Sequence, residues 1–308
     1  MRILVTGGTG LIGRALVADV RRDAHEVVVL SRNPARAPDL APGVEVQPWD
    51  GRTVAGWGPL VNGVDAVVNL AGENISSGRW TAAHKARIVQ SRLDAGRALV
   101  QAIAAATYKP RVLIQASAVG YYGPRGAEAL TEDAPPGEDW LAQLAVEWEA
   151  VTRPVEDVGV RRAVIRTGVV LTRAGGALPK MALPFRFFVG GPVGSGRQIL
   201  PWIHHADVVA AIRFLIDHAD ARGPFNLTAP EAPTNAEFGR ALGRAMRRPA
   251  WLPVPGFALR LLFGEMATVL LTGQRAVPAK LQQLGFTFRF PMLDAALADI
   301  FNNNVPTS

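Results

Sequence analysis

Three glycines near the start of the chain, Gly7, Gly10 and Gly13, are spaced three residues apart. They lie within the segment Gly-Gly-Thr-Gly-Leu-Ile-Gly at residues 7–13. Residues 1–6 predict a short apolar strand before this segment, and apolar residues at helical spacing over residues 11–23 predict a helix after it. In such a unit the glycines permit a tight turn, a close approach of the backbone to a pyrophosphate, and close packing of the helix on the strand. Free N–H groups at the helix N-terminus face the phosphates. The pattern predicts a dinucleotide-binding loop, with contacts from Gly7, Thr9, Gly10, Leu11, Ile12 and Gly13.

The predicted second strand, residues 26–31, ends at Ser31 and is followed by Arg32. Sites specific for NAD usually carry an acidic residue at this place, which binds the 2′-hydroxyl of the ribose. A hydroxyl and a guanidinium suit a 2′-phosphate instead, because both can form charge-assisted hydrogen bonds with it. The sequence therefore favours NADP(H) as the cofactor, the alternative being that Arg32 is only an exposed loop residue.

A turn of small residues, Asn69-Leu70-Ala71-Gly72, closes the strand predicted from residue 66. Ligands of open α/β sheets bind outside the carboxyl ends of the strands, so we expect these four residues to contact the cofactor and Glu73 to face the cleft. A desolvated glutamate beside the reacting ring of the cofactor can act as a general acid or base. The alternative is a Glu73 that only caps the following segment.

Alternation of predicted strands and helices indicates an α/β fold, a Rossmann-like doubly wound parallel sheet. Further strands are predicted at residues 44–47, 111–116, 162–166 and 225–227, and helices within residues 80–106, 140–158 and 206–216. From residue 234 onward, short helices interrupted by prolines predict a smaller, mostly helical C-terminal domain. We expect residues 1–227 to form the cofactor domain, with 171–198 contributing to a substrate cleft and a loop at 190–202 reaching over the ligand. Residues 228–308 would form the small domain.

Composition narrows the classes of partner. The formal charge is +7, but the arginines are spread along the chain and form no basic stripe, so no nucleic-acid partner is expected. Cysteine is absent and five scattered histidines lack the spacing of metal ligands, which predicts no metal site. No long apolar segment or signal-peptide core occurs, so we expect a cytoplasmic protein without a membrane partner.

These motifs together resemble an atypical, epimerase-family branch of the extended short-chain dehydrogenase/reductase superfamily. The resemblance is carried by the glycine loop, by Ser117-Ala-Val-Gly-Tyr-Tyr-Gly123 and by Gly194-Ser-Gly-Arg-Gln-Ile-Leu-Pro-Trp-Ile-His204. It implies an NAD-dependent epimerase/dehydratase-like domain followed by a small domain of unassigned function, which residues 255–296 resemble.

The resemblance also implies a catalytic set, and this chain matches only part of it. Ser117 occupies the place of a Ser or Thr that polarises a carbonyl, unless it merely caps a turn. The Tyr and Lys that transfer protons in the superfamily have no counterpart on the helix that begins at Trp140, and Tyr121 and Tyr122 are expected to be structural. Glu73 is the remaining carboxylate for acid/base work.

Candidate substrate contacts are Arg79, Lys180, Arg197 and Trp202, with a solvated lysine and structurally packed tryptophans as the alternatives. Two functions follow. The first is an NADP-dependent oxidoreductase or epimerase acting on a small hydroxyl or carbonyl compound, with nucleotide-linked compounds among the candidates. The second is a regulatory or sensing protein that binds NADPH without turnover, which the missing Tyr–Lys pair favours.

Overall fold

The computed structural model describes residues 1–37 and 40–302 of the chain. Its strands are β1 (Arg2–Thr6), β2 (Glu26–Ser31), β3 (Glu45–Pro48), β4 (Ala66–Asn69), β5 (Val112–Ala118), β6 (Ala129–Leu130), β7 (Arg161–Thr167), β8 (Val169–Leu171), β9 (Trp202–His204), β10 (Gly223–Leu227) and β11 (Arg275–Ala276). Its helices are α1 (Leu11–Arg22), α2 (Ala82–Ala105), α3 (Trp140–Ala150), α4 (Leu178–Arg186), α5 (His205–Asp217), α6 (Asn235–Met246), α7 (Gly256–Phe263), α8 (Thr268–Leu271), α9 (Ala279–Gln283) and α10 (Leu293–Asn302).

Seven strands form one sheet in the order β10-β7-β5-β4-β1-β2-β3. The pairs β1–β2, β1–β4, β2–β3 and β4–β5 are parallel. The chain order of the strands reverses direction on either side of β1, which opens a crevice at the carboxyl ends of β1 and β4. The predicted doubly wound sheet is therefore confirmed, and its crevice lies where the glycine loop leaves β1.

Apolar strand residues explain why this sheet is buried on both faces. On one face, residues of β1, β2, β4 and β5 pack with α2 around two tryptophans; the cluster includes Leu4, Val28, Val67, Leu113, Leu99, Ile103, Trp49 and Trp57. Parallel strands that are covered on both faces consist of consecutive apolar residues, as most of β2 and β4 do here. The core holds the carboxyl ends of these strands in a fixed position.

The described residues divide into two compact units, each built from several chain segments. The first contains Met1–Tyr121, Trp140–Arg166 and Val209–Phe225, and the second contains Tyr122–Asp139, Thr167–Val208 and the described residues from Asn226 onward. This division differs from a single boundary after residue 227. Strands β8 and β9 and helix α4, all within residues 167–208, pack with the helices that follow residue 234, and β6 of the segment 122–139 pairs with β11. The C-terminal helices are thus completed by segments from earlier in the chain.

The segment 190–202, expected as a loop over the ligand, pairs with the C-terminal part of the second unit. Isolated bridges join Gly190 to Ala250 and Val193 to Val254. At its end, Trp202 begins the short strand β9. Within the described residues, no helix is long and apolar enough to span a bilayer.

Candidate functional site

The glycine loop of the first unit is shaped by close backbone contacts. Gly7 has φ +69°, and a Cβ there would lie 2.6 Å from the carbonyl oxygen of Leu70. A Cβ on Gly13 would lie 2.2 Å from the carbonyl oxygen of Gly7. Both contacts are with backbone atoms, which cannot swing aside, so these two glycines let α1 and the turn after β4 approach the loop. The loop is closed by a hydrogen bond from the Gly10 N–H to the Gly7 oxygen, 2.9 Å long.

Gly10 differs from the other two glycines because the space beside it is open. It is the N-cap residue of α1 with φ −80° and ψ 178°, an extended conformation that any residue adopts. A Cβ there would meet only the Gly7 oxygen, at 3.1 Å. A side chain at this position would therefore extend into the adjoining cavity. The N–H groups of Leu11, Ile12 and Gly13 start the helix, where no preceding turn supplies acceptors.

A cavity of about 840 Å³ extends from this loop along the carboxyl ends of the strands, and its volume lies in the range of ligand sites. It is lined by four groups of residues: Gly7, Thr9 and Gly10; Leu30, Ser31, Arg32, Trp49, Asp50, Gly51 and Arg52; Leu70, Ala71, Gly72 and Glu73; and Ala86, Arg87, Gln90, Ser91, Asp94 and Ala95 of α2. The structure thus brings together the predicted residues from three different loops. Leu11, Ile12, Gly13 and Asn69, also predicted to bind the cofactor, are not among the lining residues.

Two guanidinium groups stand at the end of the cavity formed by β2 and β3. Ser31 is buried and its hydroxyl accepts the Asn33 N–H at 3.2 Å. Arg32 is exposed and forms no ion pair within the described residues, and its aliphatic part lies over Gly51. The Arg52 side chain is 74% exposed, with its Nε 3.8 Å from a carboxylate oxygen of Asp94. No acidic residue stands directly after β2, so this end of the cavity offers two exposed guanidinium groups to an anionic group.

Asp50, the acidic residue nearest to this end in sequence, is held in its own turn. Its carboxylate accepts the N–H groups of Arg52 and Thr53, each at 2.8 Å, and the Thr53 hydroxyl at 2.7 Å. The hydrogen bonds from Thr53 and Arg52 lower the pKa of the Asp50 carboxyl. The carboxylate therefore shapes the turn that presents Gly51 and Arg52.

Asn69 supports the site from below the cavity. Its side chain is fully buried, accepts the Thr6 hydroxyl at 2.6 Å and donates to the Gln115 side chain at 2.8 Å. These bonds join the carboxyl ends of β1, β4 and β5 in one row. Because both ends of its amide are used in this way, Asn69 positions the strands, and the turn from Leu70 to Gly72 supplies the cavity wall.

Glu73 lines the cavity as expected, and an arginine and a histidine of α2 lie beside its carboxylate. Its Oε1 lies 3.3 Å from Arg87 Nε and 3.5 Å from His84 Nε2, and the side chain is 26% exposed. Its backbone N–H donates to the Ser91 hydroxyl at 3.0 Å. The carboxylate is thus fixed in orientation and open to the cavity, which a group that binds or moves a proton at a ligand requires.

A buried arginine lies behind this wall. The guanidinium of Arg92 donates to the carbonyl oxygens of Glu73 and Ile88, each at 3.0 Å, and stacks 4.5 Å from the Trp148 ring. Burial lowers the pKa of Arg92 to about 10, and the nearby Glu73 carboxylate acts in the opposite direction. The charge is held against the turn after β4, where it braces Gly72 and Glu73.

Ser117 is buried and does not line the cavity. Its hydroxyl donates to Glu149 Oε1 at 2.7 Å, and the same carboxylate receives Arg166 Nε at 2.8 Å and Nη2 at 2.9 Å. The guanidinium carbon of Arg166 lies 3.4 Å from the centre of the Tyr121 ring. A serine hydroxyl carries one proton, so the predicted polarisation of a carbonyl by Ser117 would require that proton to leave Glu149.

Tyr122 is structural, as expected. It is fully buried, and its hydroxyl donates to the Asn226 side chain at 2.7 Å within the second unit. The Asn226 N–H in turn donates to Glu132 at 3.0 Å. Burial raises the pKa of the Glu132 carboxyl, while backbone N–H groups that include those of Asn226 and Lys280 lower it.

The four predicted substrate contacts do not line the cavity. Arg79 is exposed in the first unit, while Lys180 and Arg197 are exposed in the second. Trp202 has no exposed surface and packs in the core of the second unit, which corrects the expectation that its ring meets a substrate. The apolar ring is buried in that core, which agrees with the alternative that the tryptophans are structurally packed.

Sequence reasoning missed two parts of this arrangement. The Asp50–Arg52 turn follows the third parallel strand, and its position at a carboxyl end is the signal that could have identified it. The face of α2 from Ala86 to Ala95 lines the cavity, but no motif marks it. The sequence also gives no sign that Glu149 binds Ser117 and Arg166, because these two residues come from distant strands.

Comparisons with known proteins agree with this architecture. The model of the NAD dependent epimerase/dehydratase family matches residues 3–228, and a domain of unknown function, DUF1731, matches residues 254–300. The chain is 41% identical to the epimerase family protein SDR39U1 of Bos taurus, with 97% of this chain and 99% of that protein covered. It is also 41% identical to the epimerase family protein YfhF of Bacillus subtilis (strain 168), with 97% and 98% covered.

Solved structures extend the comparison. The crystal structure of human epimerase family protein SDR39U1 (isoform2) with NADPH has a TM-score of 0.89 and 38% sequence identity, covering 98% of this chain and 100% of that chain. UDP-glucose 4-epimerase of Thermotoga maritima, at 16% identity and a TM-score of 0.80, shares the fold. The predicted resemblance, including the small C-terminal domain, is confirmed.

Proposed function

Because the chain belongs to the NAD dependent epimerase/dehydratase family, we propose that it binds NADPH in the cavity of its first unit and transfers hydride with a small hydroxyl or carbonyl compound. The observation that carries the proposal is the pair of arginines, Arg32 and Arg52, at the end of a cavity that begins at the glycine loop. A relative of 38% identity over 98% of the chain has been crystallised with NADPH. Cationic side chains in place of an acid after β2 are suited to the 2′-phosphate.

The residues present fit this cofactor along its length. The open space beside Gly10 and the N–H groups of Leu11, Ile12 and Gly13 accommodate the pyrophosphate at the N-terminus of α1. The hydroxyl of Ser31 and the two guanidinium groups hold the 2′-phosphate. When bound, the dinucleotide supplies or accepts the hydride, and the protein supplies binding and orientation.

Glu73 is the residue of the cavity wall that we assign to proton transfer. Its carboxylate faces the cavity, and Arg87 and His84 fix its orientation. Ser117 takes part only if its hydroxyl exchanges its proton with Glu149, to which it is bound.

Cofactor preference tests the proposal directly. Titration calorimetry should show tighter binding of NADPH than of NADH. In Arg32→Ala the ratio of the two affinities should fall about tenfold or more, because one charge-assisted contact contributes roughly 1.5–3 kcal/mol to binding. Arg52→Ala should lower this ratio as well. Arg22→Ala is the matched control, since that exposed arginine pairs with Asp19 on α1 and does not line the cavity. Equal affinities for NADPH and NADH in the unmodified protein would contradict the proposal.

A second candidate function is a protein that binds NADPH as a regulatory ligand without turnover. It is favoured by α3, whose sequence Trp-Leu-Ala-Gln-Leu-Ala-Val-Glu-Trp-Glu-Ala contains neither Tyr nor Lys, and by the bond that occupies the Ser117 proton. NADPH binding without oxidation across a panel of aldehydes, ketones and nucleotide sugars would favour this candidate. Oxidation of NADPH that depends on Glu73 would favour the enzyme.

A further inference from the structure

An apolar surface is exposed on the second unit, around the end of α4 and the segment after α6. We define the Phe188–Trp251 surface as Leu183, Phe187, Phe188, Val189, Trp251 and Leu252, whose exposed fractions run from 39% at Leu252 to 69% at Phe187. The two segments are joined by hydrogen bonds, from the Trp251 indole to the Phe188 oxygen at 3.0 Å and from the Leu252 N–H to the Gly190 oxygen at 3.1 Å. Exposed aromatic residues gathered in this way mark an interaction surface.

Arginines border this surface. Arg240, Arg244, Arg247 and Arg248 line a groove next to Ala250, and the guanidinium carbon of Arg248 lies 4.5 Å from the Phe188 ring centre. The neighbouring Asp294 carboxylate is taken by Arg244, at 2.7 Å and 2.9 Å. Glu237 caps the opposite end of α6 through Thr234. Arg247 and Arg248 form no ion pair with a carboxylate of the described chain, and neither does Arg186, the last residue of α4.

Two residues here have a left-handed backbone conformation that favours glycine. Phe188 has φ +62° and Arg247 has φ +54°, and together with Ala24 they are the non-glycine residues of the described chain with positive φ. Both follow a helix in the same motif: the N–H groups of Phe188 and Val189 donate to Phe185 and Pro184, and those of Arg247 and Arg248 donate to Arg244 and Gly243. Glycine is the preferred residue at this place. An aromatic ring and a guanidinium stand there instead: Phe188 belongs to the exposed apolar surface, and Arg247 lines the groove beside it.

We propose that the Phe188–Trp251 surface, with the arginines beside it, docks on an anionic phospholipid bilayer. Exposed aromatic rings insert at the headgroup level, and arginines beside them attract anionic lipids while their stems lie along the apolar region. A second copy of the chain is a poorer occupant, because a twofold contact would bring the same arginines together on a protein of formal charge +7. The expectation of no membrane partner was based on spanning segments, which a surface contact does not need. This inference is independent of the proposed function.

Vesicle binding tests the proposal with variants that suit the backbone. Phe188→Gly and Arg247→Gly place the preferred residue in each motif, so both variants should fold and bind NADPH as the unmodified protein does. The matched control is Ala24→Gly, which makes the same kind of change at φ +58° in the first unit. Co-sedimentation is measured with vesicles of phosphatidylcholine alone and with vesicles of equal parts phosphatidylcholine and phosphatidylglycerol.

We expect binding to the anionic vesicles that weakens with added salt, and little binding to phosphatidylcholine alone. Each glycine variant should reduce partitioning onto the anionic vesicles about fivefold, and the double variant should reduce it more than tenfold. The reason is that each arginine or inserted ring contributes a comparable share of the binding free energy. Ala24→Gly should bind as the unmodified protein does. The proposal is overturned by absence of binding to anionic vesicles, by binding that both glycine variants retain, or by a dimer of the unmodified protein that Phe188→Gly dissociates, which would identify a second copy as the occupant.

Discussion

Valine at position 10 should abolish NADPH binding, whereas valine at position 13 should mainly lower the stability of the fold. The reason is that the two glycines have different surroundings. A Cβ at position 13 would lie 2.2 Å from the Gly7 oxygen and 2.7 Å from the Gly8 Cα. Relief of this overlap requires α1 to move away from the loop by about 1 Å, a backbone shift of the kind that overpacking forces. A Cβ at position 10 is 3.1 Å from the Gly7 oxygen and otherwise reaches open space.

The magnitudes follow from these contacts. Overpacking against backbone should lower the free energy of unfolding of Gly13→Val by about 3 kcal/mol, the upper part of the usual range. In Gly10→Val only a favourable N-cap residue is lost, which should lower the free energy of unfolding by about 1 kcal/mol. At roughly 2–4 °C per kcal/mol, the midpoint of thermal unfolding should fall by about 6–12 °C in Gly13→Val and about 2–4 °C in Gly10→Val. The Gly10→Val side chain occupies the space assigned to the pyrophosphate, so NADPH binding should be lost in a folded protein.

Circular dichroism gives the unfolding midpoints, and titration calorimetry gives the NADPH affinity below those temperatures. The reasoning is refuted if Gly10→Val binds NADPH within about twofold of the unmodified protein. It is also refuted if Gly13→Val unfolds at the same temperature as Gly10→Val, since the backbone contacts would then have no energetic consequence.

Three further predictions concern chemistry and pH. Any NADPH-linked turnover, followed by cofactor absorbance, should fall at least about tenfold in Glu73→Gln, and unchanged turnover would remove this carboxylate from the mechanism. Ser117→Ala and Glu149→Gln should have similar effects on turnover if the pair moves a proton, and an effect of Glu149→Gln on the unfolding midpoint alone would make the pair structural. Burial, followed by the charge of His205, lowers the pKa of His204 to about 4, so the native state resists its protonation. Stability should therefore be fully present above the unfolded pKa of about 6.5 and fall by up to about 3 kcal/mol as the pH drops to about 4. Urea unfolding should show a weaker loss in His204→Gln, and equal losses in both proteins would contradict this assignment.

The glycine loop and the sheet could be predicted from sequence because their signals are local. The spacing of Gly7, Gly10 and Gly13 reports close backbone contacts within one strand, turn and helix, and apolar runs such as β2 report a strand buried on both faces. Ser31 and Arg32 follow such a strand directly, and both line the cavity. For these two residues, the position directly after a buried strand was sufficient to place them at the cavity.

Contacts between distant segments could not be predicted in this way. Ser117 is recognisable by its motif, but the Glu149 carboxylate that accepts its hydroxyl proton lies on α3, and Arg166, which binds the same carboxylate, lies on β7. Trp202 reads as a residue of a ligand loop because glycines and prolines precede it, yet the C-terminal helices bury its ring. No periodicity within a segment records which other segment covers it, so these partners become visible only in the assembled fold.

The central claim is that Arg32 and Arg52 receive the 2′-phosphate of a bound NADPH. A crystal structure of this protein grown with NADPH tests it most directly. We predict the pyrophosphate beside Gly10 at the N-terminus of α1, and the 2′-phosphate oxygens within about 3 Å of the guanidinium of Arg32 or Arg52. A 2′-phosphate that contacts neither arginine, or a cofactor bound outside the cavity, would contradict the account.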